Sequence, residues 1–160
     1  MDAGDLHGFL KANEIEAEIV FLKETTPTVE AAAEAVGVLP AQIVKSVLFV
    51  VKEKDGAPRP QLVVTNGLSR VSYRALADYL GISRRRVRMA RADEVQEMTG
   101  YAVGTVPPFG HATRLATVLD VAVSEQREVY AGGGEINALM RLTVAELQRV
   151  LGAEEVGLSE

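Results

Sequence analysis

A single lysine interrupts the most apolar run of the chain. Ile43–Val51 reads Ile-Val-Lys-Ser-Val-Leu-Phe-Val-Val, and an ammonium in that company is costly unless an anion or a wet pocket receives it. Lys45 is thus the first candidate for chemistry. Ser46 beside it invites a Ser/Lys nucleophilic pair, but neighbouring strand residues point to opposite faces, so the two side chains should not meet. A second candidate is Gly100-Tyr-Ala-Val-Gly104-Thr-Val-Pro-Pro108-Phe-Gly110-His111. Glycines at this density allow positive φ and close backbone approach, while prolines stiffen the path. Such a loop can aim backbone N–H groups at an oxyanion or a phosphate, or it can be a tight surface turn. It is neither a Walker loop, lacking Gly-Lys-Ser/Thr, nor a dinucleotide fingerprint, because prolines occupy the would-be helix start. The third is Tyr130-Ala-Gly132-Gly133-Gly134-Glu135-Ile-Asn137. Three glycines in a row suit a flexible hairpin, or a place where a ligand or another backbone comes close.

Composition removes much else. There is no cysteine and there are only two histidines, His7 and His111, so thiolate chemistry is absent and a metal centre is not expected. Asp120 and Ser124 follow His111 at no spacing that specifies a triad. No cofactor is implied. No apolar run reaches membrane-spanning length, and the N-terminus lacks the layout of a signal peptide, so a cytoplasmic protein without a membrane partner is expected. A net charge of −5 argues against nonspecific coating of nucleic acid. Arg84, Arg85, Arg86, Arg88 and Arg91 nonetheless form a local basic cluster, readable as a contact patch or as a solvated turn and strand edge.

These candidates need elements to hold them. Ile43–Val51 has the length of one long strand, apolar on both faces and therefore central. Gln61–Thr65 should pair back against it after a charged, Gly- and Pro-containing connection. Helices are expected around Leu6–Leu10, after Thr28 as far as Gly37, over Tyr73–Leu80 between Ser72 and Gly81, and after Thr143, which pairs with Glu146 as a capping box. Asp93 with Gln96 suggests the same device for a helix ending near Gly100. Further strands are expected at Ala17–Leu22, Leu115–Leu119, Glu128–Ala131 and Leu139–Leu142. Without a regular βαβ rhythm, the chain reads as an α+β fold with a largely antiparallel or mixed sheet. A single domain over residues 1–152 is expected, with an acidic tail, 153–160, that should fray.

In order, the chain shows Val44-Lys45-Ser46 opening a long strand, Arg70–Gly81 as a helix, Arg88-Met-Ala90, Asp93-Glu-Val95 and Thr99-Gly100-Tyr101. Then come Gly104-x-x-x-Pro108-x-Gly110, the glycine cluster and Leu142-Thr-x-x-Glu-Leu147. This combination resembles the YbaK/ProX family of aminoacyl-tRNA deacylases, which also occurs as the editing domain inserted in bacterial prolyl-tRNA synthetases. The resemblance spans roughly Ala17 to Leu151. It implies a compact α+β fold with a mixed, largely antiparallel, barrel-like sheet and peripheral helices. It also implies hydrolysis of the ester joining a wrong amino acid to the 3′-terminal adenosine of a tRNA. By that likeness Lys45 and Gly104 are the catalytic residues, with Thr105, Val106, Pro108, Gly110, His111, Gly132, Gly134 and Asn137 against the substrate. The implied partners are the 3′ acceptor end of a mischarged tRNA and, secondarily, an aminoacyl-tRNA synthetase. Several relatives carry a histidine, or a serine and an aspartate, in or just after the glycine cluster, where this chain has Glu135 and Asn137. A catalytically weak module that binds aminoacyl-adenosine-like ligands, or a synthetase-associated tRNA-binding partner, is therefore the alternative.

Overall fold

The computed structural model describes all of residues 1–160. Its centre is the hairpin expected from the sequence. Strand β2 (Val44–Lys52) pairs antiparallel with β3 (Pro58–Asn66), Lys45 lying opposite Thr65. The turn between them is shorter than the charged connection suggested, because both strands run into it. Pro58 and Pro60 are tolerated since the far edge of β3 is paired only at Leu62–Val64. That edge carries β5 (Thr117–Asp120), parallel to β3, and then β8 (Glu155–Val156), while β4 (Val87–Met89) pairs with Phe49–Val51. A separate antiparallel sheet runs β1 (Glu18–Phe21), β7 (Ala138–Thr143), β6 (Glu128–Gly132). One parallel bridge, Ile43 to Tyr130, joins the sheets. The fold is α+β and mixed, but the sheet stays open where a barrel would close.

Five helices surround the sheets: α1 (Ala3–Ala12), α2 (Val29–Val36), α3 (Tyr73–Leu80), α4 (Ala92–Thr99) and α5 (Val144–Leu151). Thr28, Ser72 and Thr143 cap α2, α3 and α5 through their hydroxyls, and Gly37, Gly81 and Gly152 end them in the left-handed conformation. The start of α4 differs from the expected Asp93/Gln96 pair. Glu94 reaches back to the Arg91 N–H at 2.9 Å and also grips the Arg88 guanidinium in a two-pronged contact. Asp93 is drawn instead to the Arg91 side chain.

Strand alternation decides what covers β2. Val44 and Leu48 face a core shared with α1, α5, β6, β7 and the Gly100–His111 loop, through Leu6, Leu147, Met140, Val106 and Phe109. Phe49 faces a second core with Val63, Val71, Leu76, Ala77 and Leu158, and Val47 packs against it. The tail does not fray. Buried Asp120 accepts the Leu158 N–H at 3.2 Å, the Ser159 hydroxyl and the Thr65 hydroxyl at 2.7 Å, so residues 155–160 are laced onto β5 and the start of α3. No helix is long and apolar enough to cross a membrane.

Candidate active site

The Gly100–His111 loop is bound into the core along most of its length. Tyr101 is fully buried, and burial pushes its phenol pKa up to about 12. Thr99 takes the Tyr101 N–H at 3.0 Å, and Thr105 donates its hydroxyl to the Ala102 carbonyl at 2.7 Å. Val106, Pro107, Pro108 and Phe109 are buried, with Phe109 stacked on Phe9 of α1 at 5.9 Å between ring centres. Only Ala102, Val103 and Gly104 form an exposed tip. Gly104 has φ +86°, and its N–H donates to no protein acceptor. A fixed tip with a free amide is the arrangement that can stabilise a developing oxyanion.

The glycine cluster is the seat of this loop. A Cβ on Gly132 would lie 2.2 Å from the Val106 carbonyl oxygen, and the Gly134 N–H donates to the Thr105 carbonyl at 2.9 Å. Gly133 meets the Ala138 backbone and Gly134 the start of α1 at similarly short range. Close approach of backbone, the second of the readings open in the sequence, thus accounts for all three. Glu135 accepts the Ala3 N–H at 3.0 Å, and Asn137 is clasped to Leu22 at the end of β1 through its carbonyl at 2.7 Å. The Asn137 side-chain amide, which is no base, also donates to the Leu22 carbonyl at 3.5 Å, and one oxygen of the Glu135 carboxylate is committed to the start of α1.

His111 donates through Nε2 to the Pro107 carbonyl, 2.7 Å away. A carbonyl only accepts, so Nε2 carries the proton. Burial lowers the ring pKa, against the smaller opposing effect of that carbonyl, and keeps the imidazole neutral near pH 7. Pro108, Gly110 and His111 line a cleft of about 470 Å³ with Phe9, Asn13 and Arg149, between α1 and α5.

Lys45 does not share that cleft. It lies on the face of β2 occupied by Val47 and Phe49, opposite to the loop, and lines a cavity of about 640 Å³ with Arg70, Ser72, Tyr73, Arg74, Arg84 and Glu160. The likeness puts Lys45, the Gly104 loop and the glycine cluster at one substrate; in the structure loop and cluster meet, and the lysine faces the start of α3. The cause is alternation, since Val44 and Leu48 supply the contacts to the loop side. Burial, and secondarily the neighbouring Arg70 guanidinium, lowers the Lys45 pKa. Between the Ile43 bridge to β6 and the Phe49–Val51 pairing with β4, Lys45–Val47 has β3 on one side and no strand on the other.

That bare edge also holds a residue the sequence reading dismissed. The Ser46 hydroxyl points to the loop side and is enclosed by protein, yet it has no hydrogen-bond partner, an unfavourable state for a buried polar atom. Arg70 and Arg74 were missed as well; their spacing around the Ser72 cap was the available signal. No group of three or more His, Asp or Glu side chains is placed to hold a metal ion.

Residues 23–150 match the aminoacyl-tRNA editing domain family. YwhH of Bacillus subtilis (strain 168), an uncharacterized protein, is 30% identical over 132 residues, 82% of this chain and 80% of that one. Proline–tRNA ligase of Limosilactobacillus fermentum (strain NBRC 3956 / LMG 18251) is 30% identical over 105 residues, 64% of this chain but 18% of the ligase. Among solved structures, a candidate trans-editing enzyme for prolyl tRNA synthetase superposes with a TM-score of 0.88 at 36% identity, covering 99% of this chain and 96% of that one. A scaffold from computational epitope grafting gives 0.87 at 32% identity, with the same coverage. The free amide on a fixed loop and the lysine behind it therefore sit in a chain that belongs to the aminoacyl-tRNA editing domain family.

Proposed function

We propose that this protein is a free-standing editing hydrolase, which cleaves the ester between a mischarged amino acid and the 3′-terminal adenosine of a tRNA. The observation that carries the reading is the Gly104 N–H, unpaired at the exposed tip of a loop whose remainder is fixed in the core. An aminoacyl ester is already activated, so its hydrolysis needs positioning, an oxyanion donor and a placed water more than a strong nucleophile. Water adds to the ester carbonyl carbon, and the charge that develops on oxygen is received by the Gly104 amide. Collapse of the adduct breaks the bond to the ribose oxygen, which leaves with a proton, giving free amino acid and deacylated tRNA. Lys45 holds the terminal phosphate or ribose as an ammonium. The free vicinal hydroxyl of the ribose can orient the water, which suits a site whose Glu135 carboxylate and Asn137 amide both bond to backbone groups of the protein.

That same engagement favours a second reading, in which the protein binds aminoacyl-adenosine-like groups without turnover. Single-turnover deacylation of alanyl-, cysteinyl- and seryl-tRNA, made first on proline tRNA because two relatives are named for that synthetase, separates the two. The hydrolase reading expects at least one of these to be cleaved well above its spontaneous rate. Tight binding across the panel with no cleavage establishes the binding module instead.

A further inference from the structure

The cavity beside α3 is strongly cationic in a protein of net charge −5. Lys45, Arg70, Arg74 and Arg84 all line it, and Glu160 is its one carboxylate. None of the four cations has a carboxylate within ion-pair distance, and what distinguishes them from other unpaired cations of the chain is that they gather at one cavity. Arg84 is held in place another way, its guanidinium lying 4.4 Å over the Tyr73 ring. Ser72, Tyr73 and Arg74 bring the N-terminal turn of α3 to the same wall, so backbone N–H dipoles add to the positive field. Like charges gathered without partners repel one another, and an anion entering the cavity relieves that repulsion.

Resting on the editing reading, we infer that this cavity is a subsite for the phosphodiester backbone of single-stranded RNA. It takes the nucleotides just before the terminal adenosine, with Arg70, Arg74 and Arg84 on successive phosphates. A hollow of about 640 Å³ has the size to take a short length of unpaired strand. The outer face of the Arg84 guanidinium, backed by Tyr73, is a platform on which an unpaired base can stack. Glu160 opposes the ligand, and its N–H bonds to the Arg70 carbonyl at 2.8 Å, so this carboxylate is held at the cavity.

The test is binding of a 5′-labelled single-stranded RNA ending in CCA, followed by fluorescence anisotropy across a salt series. For the wild type, log K should fall linearly with log salt, and Arg70→Gln/Arg74→Gln should flatten the slope by about 0.7 per arginine removed. Arg84→Gln should act likewise, Glu160→Gln should tighten binding, and Arg127→Gln, an exposed arginine before β6, should change nothing. With mischarged tRNA, the arginine variants should raise KM more than they lower kcat. An unchanged slope in the double variant overturns the inference. So does equal affinity for a blunt RNA duplex, or displacement of the RNA by inorganic phosphate at matching phosphate concentration. Normal deacylation by arginine variants with unchanged KM sinks the subsite and leaves the editing reading intact. RNA held through these arginines, with no mischarged tRNA cleaved, sinks the editing reading and leaves the subsite.

Discussion

Gly132→Ala tests whether the Gly104 loop works through its position. A Cβ at residue 132 would sit 2.2 Å from the Val106 oxygen, 2.7 Å from its carbonyl carbon and 3.0 Å from the Thr105 oxygen. All three atoms are backbone, so no rotamer change relieves the contact. The loop must retreat by about 1 Å to reach ordinary van der Waals separation, and overpacking of this kind costs about 1–3 kcal/mol. In a domain of this size the melting temperature should drop by about 2–12 °C. The same retreat carries the Gly104 amide away from the carbonyl oxygen it is to receive, and a misplacement near 1 Å costs about a hundredfold in rate. The assay is single-turnover deacylation on the best substrate of the panel, run beside thermal melting. A variant that melts several degrees lower yet cleaves at the wild-type rate would refute the reasoning, because the amide would then have moved without consequence. Gly104→Ala is the companion case. Its Cβ meets nothing within 4 Å, so any loss there comes from the strain of φ +86°.

Lys45→Ala should leave melting unchanged, since the ammonium packs no core and its removal relieves Arg70, while deacylation falls by about 10- to 100-fold, the worth of one charge-assisted contact. Lys45→Arg should also fail, its fork being larger and differently aimed; near-normal turnover by both variants would make the lysine structural. His111→Ala should stay within about tenfold of wild type, because its protonated Nε2 is committed to the Pro107 carbonyl, whereas a general base contributes about 10²–10⁴; a thousandfold loss would make the protein an imidazole-based esterase. The Arg88 guanidinium, with the Arg91 N–H, holds the Glu94 carboxyl at about 2, below its unfolded value, so Glu94 stabilises the fold above pH 4.5 and that contribution fades as pH falls toward 2. Glu94→Gln should accordingly melt lower than wild type at pH 7, with the gap closing in acid; a gap that is constant with pH would mean that the charge is irrelevant.

The elements legible in the sequence are those whose signals are local. The β2–β3 hairpin follows from β-branched runs around a charged turn, and α2, α3 and α5 from hydroxyl caps and terminal glycines. What escaped depends on contacts distant in sequence. The tail is ordered because Asp120, some 38 residues earlier, accepts the Leu158 N–H; nothing within residues 153–160 announces that partner. Strand β4 is three residues long and follows three arginines, so only the waiting edge of Phe49–Val51 makes it a strand. The start of α4 was misplaced because two overlapping acidic patterns compete, and Glu94 prevails by serving Arg88 and the Arg91 N–H together. In the site, close backbone approach at the glycine cluster was readable, but its partner was not. Alternation placed Lys45 and Ser46 on opposite faces; which layer covers each face is set by the whole fold.

That separation sharpens the mechanism. With Lys45 serving the α3 side of β2 and the Gly104 loop the other, a substrate that uses both must cross the strand. On the editing reading, the place for this is the edge at Lys45–Val47, which has no strand neighbour. A terminal adenosine suits such a crossing, because its phosphate and its acylated ribose project from one nucleotide in different directions. The phosphate can then lie with the cations while the ester passes the edge toward the loop. Ser46 stands at the crossing with its hydroxyl turned to the loop side and unpaired, where an isolated buried hydroxyl costs about 1–3 kcal/mol. On the editing reading, the strand edge left without a neighbour is where the substrate reaches from one face of β2 to the other.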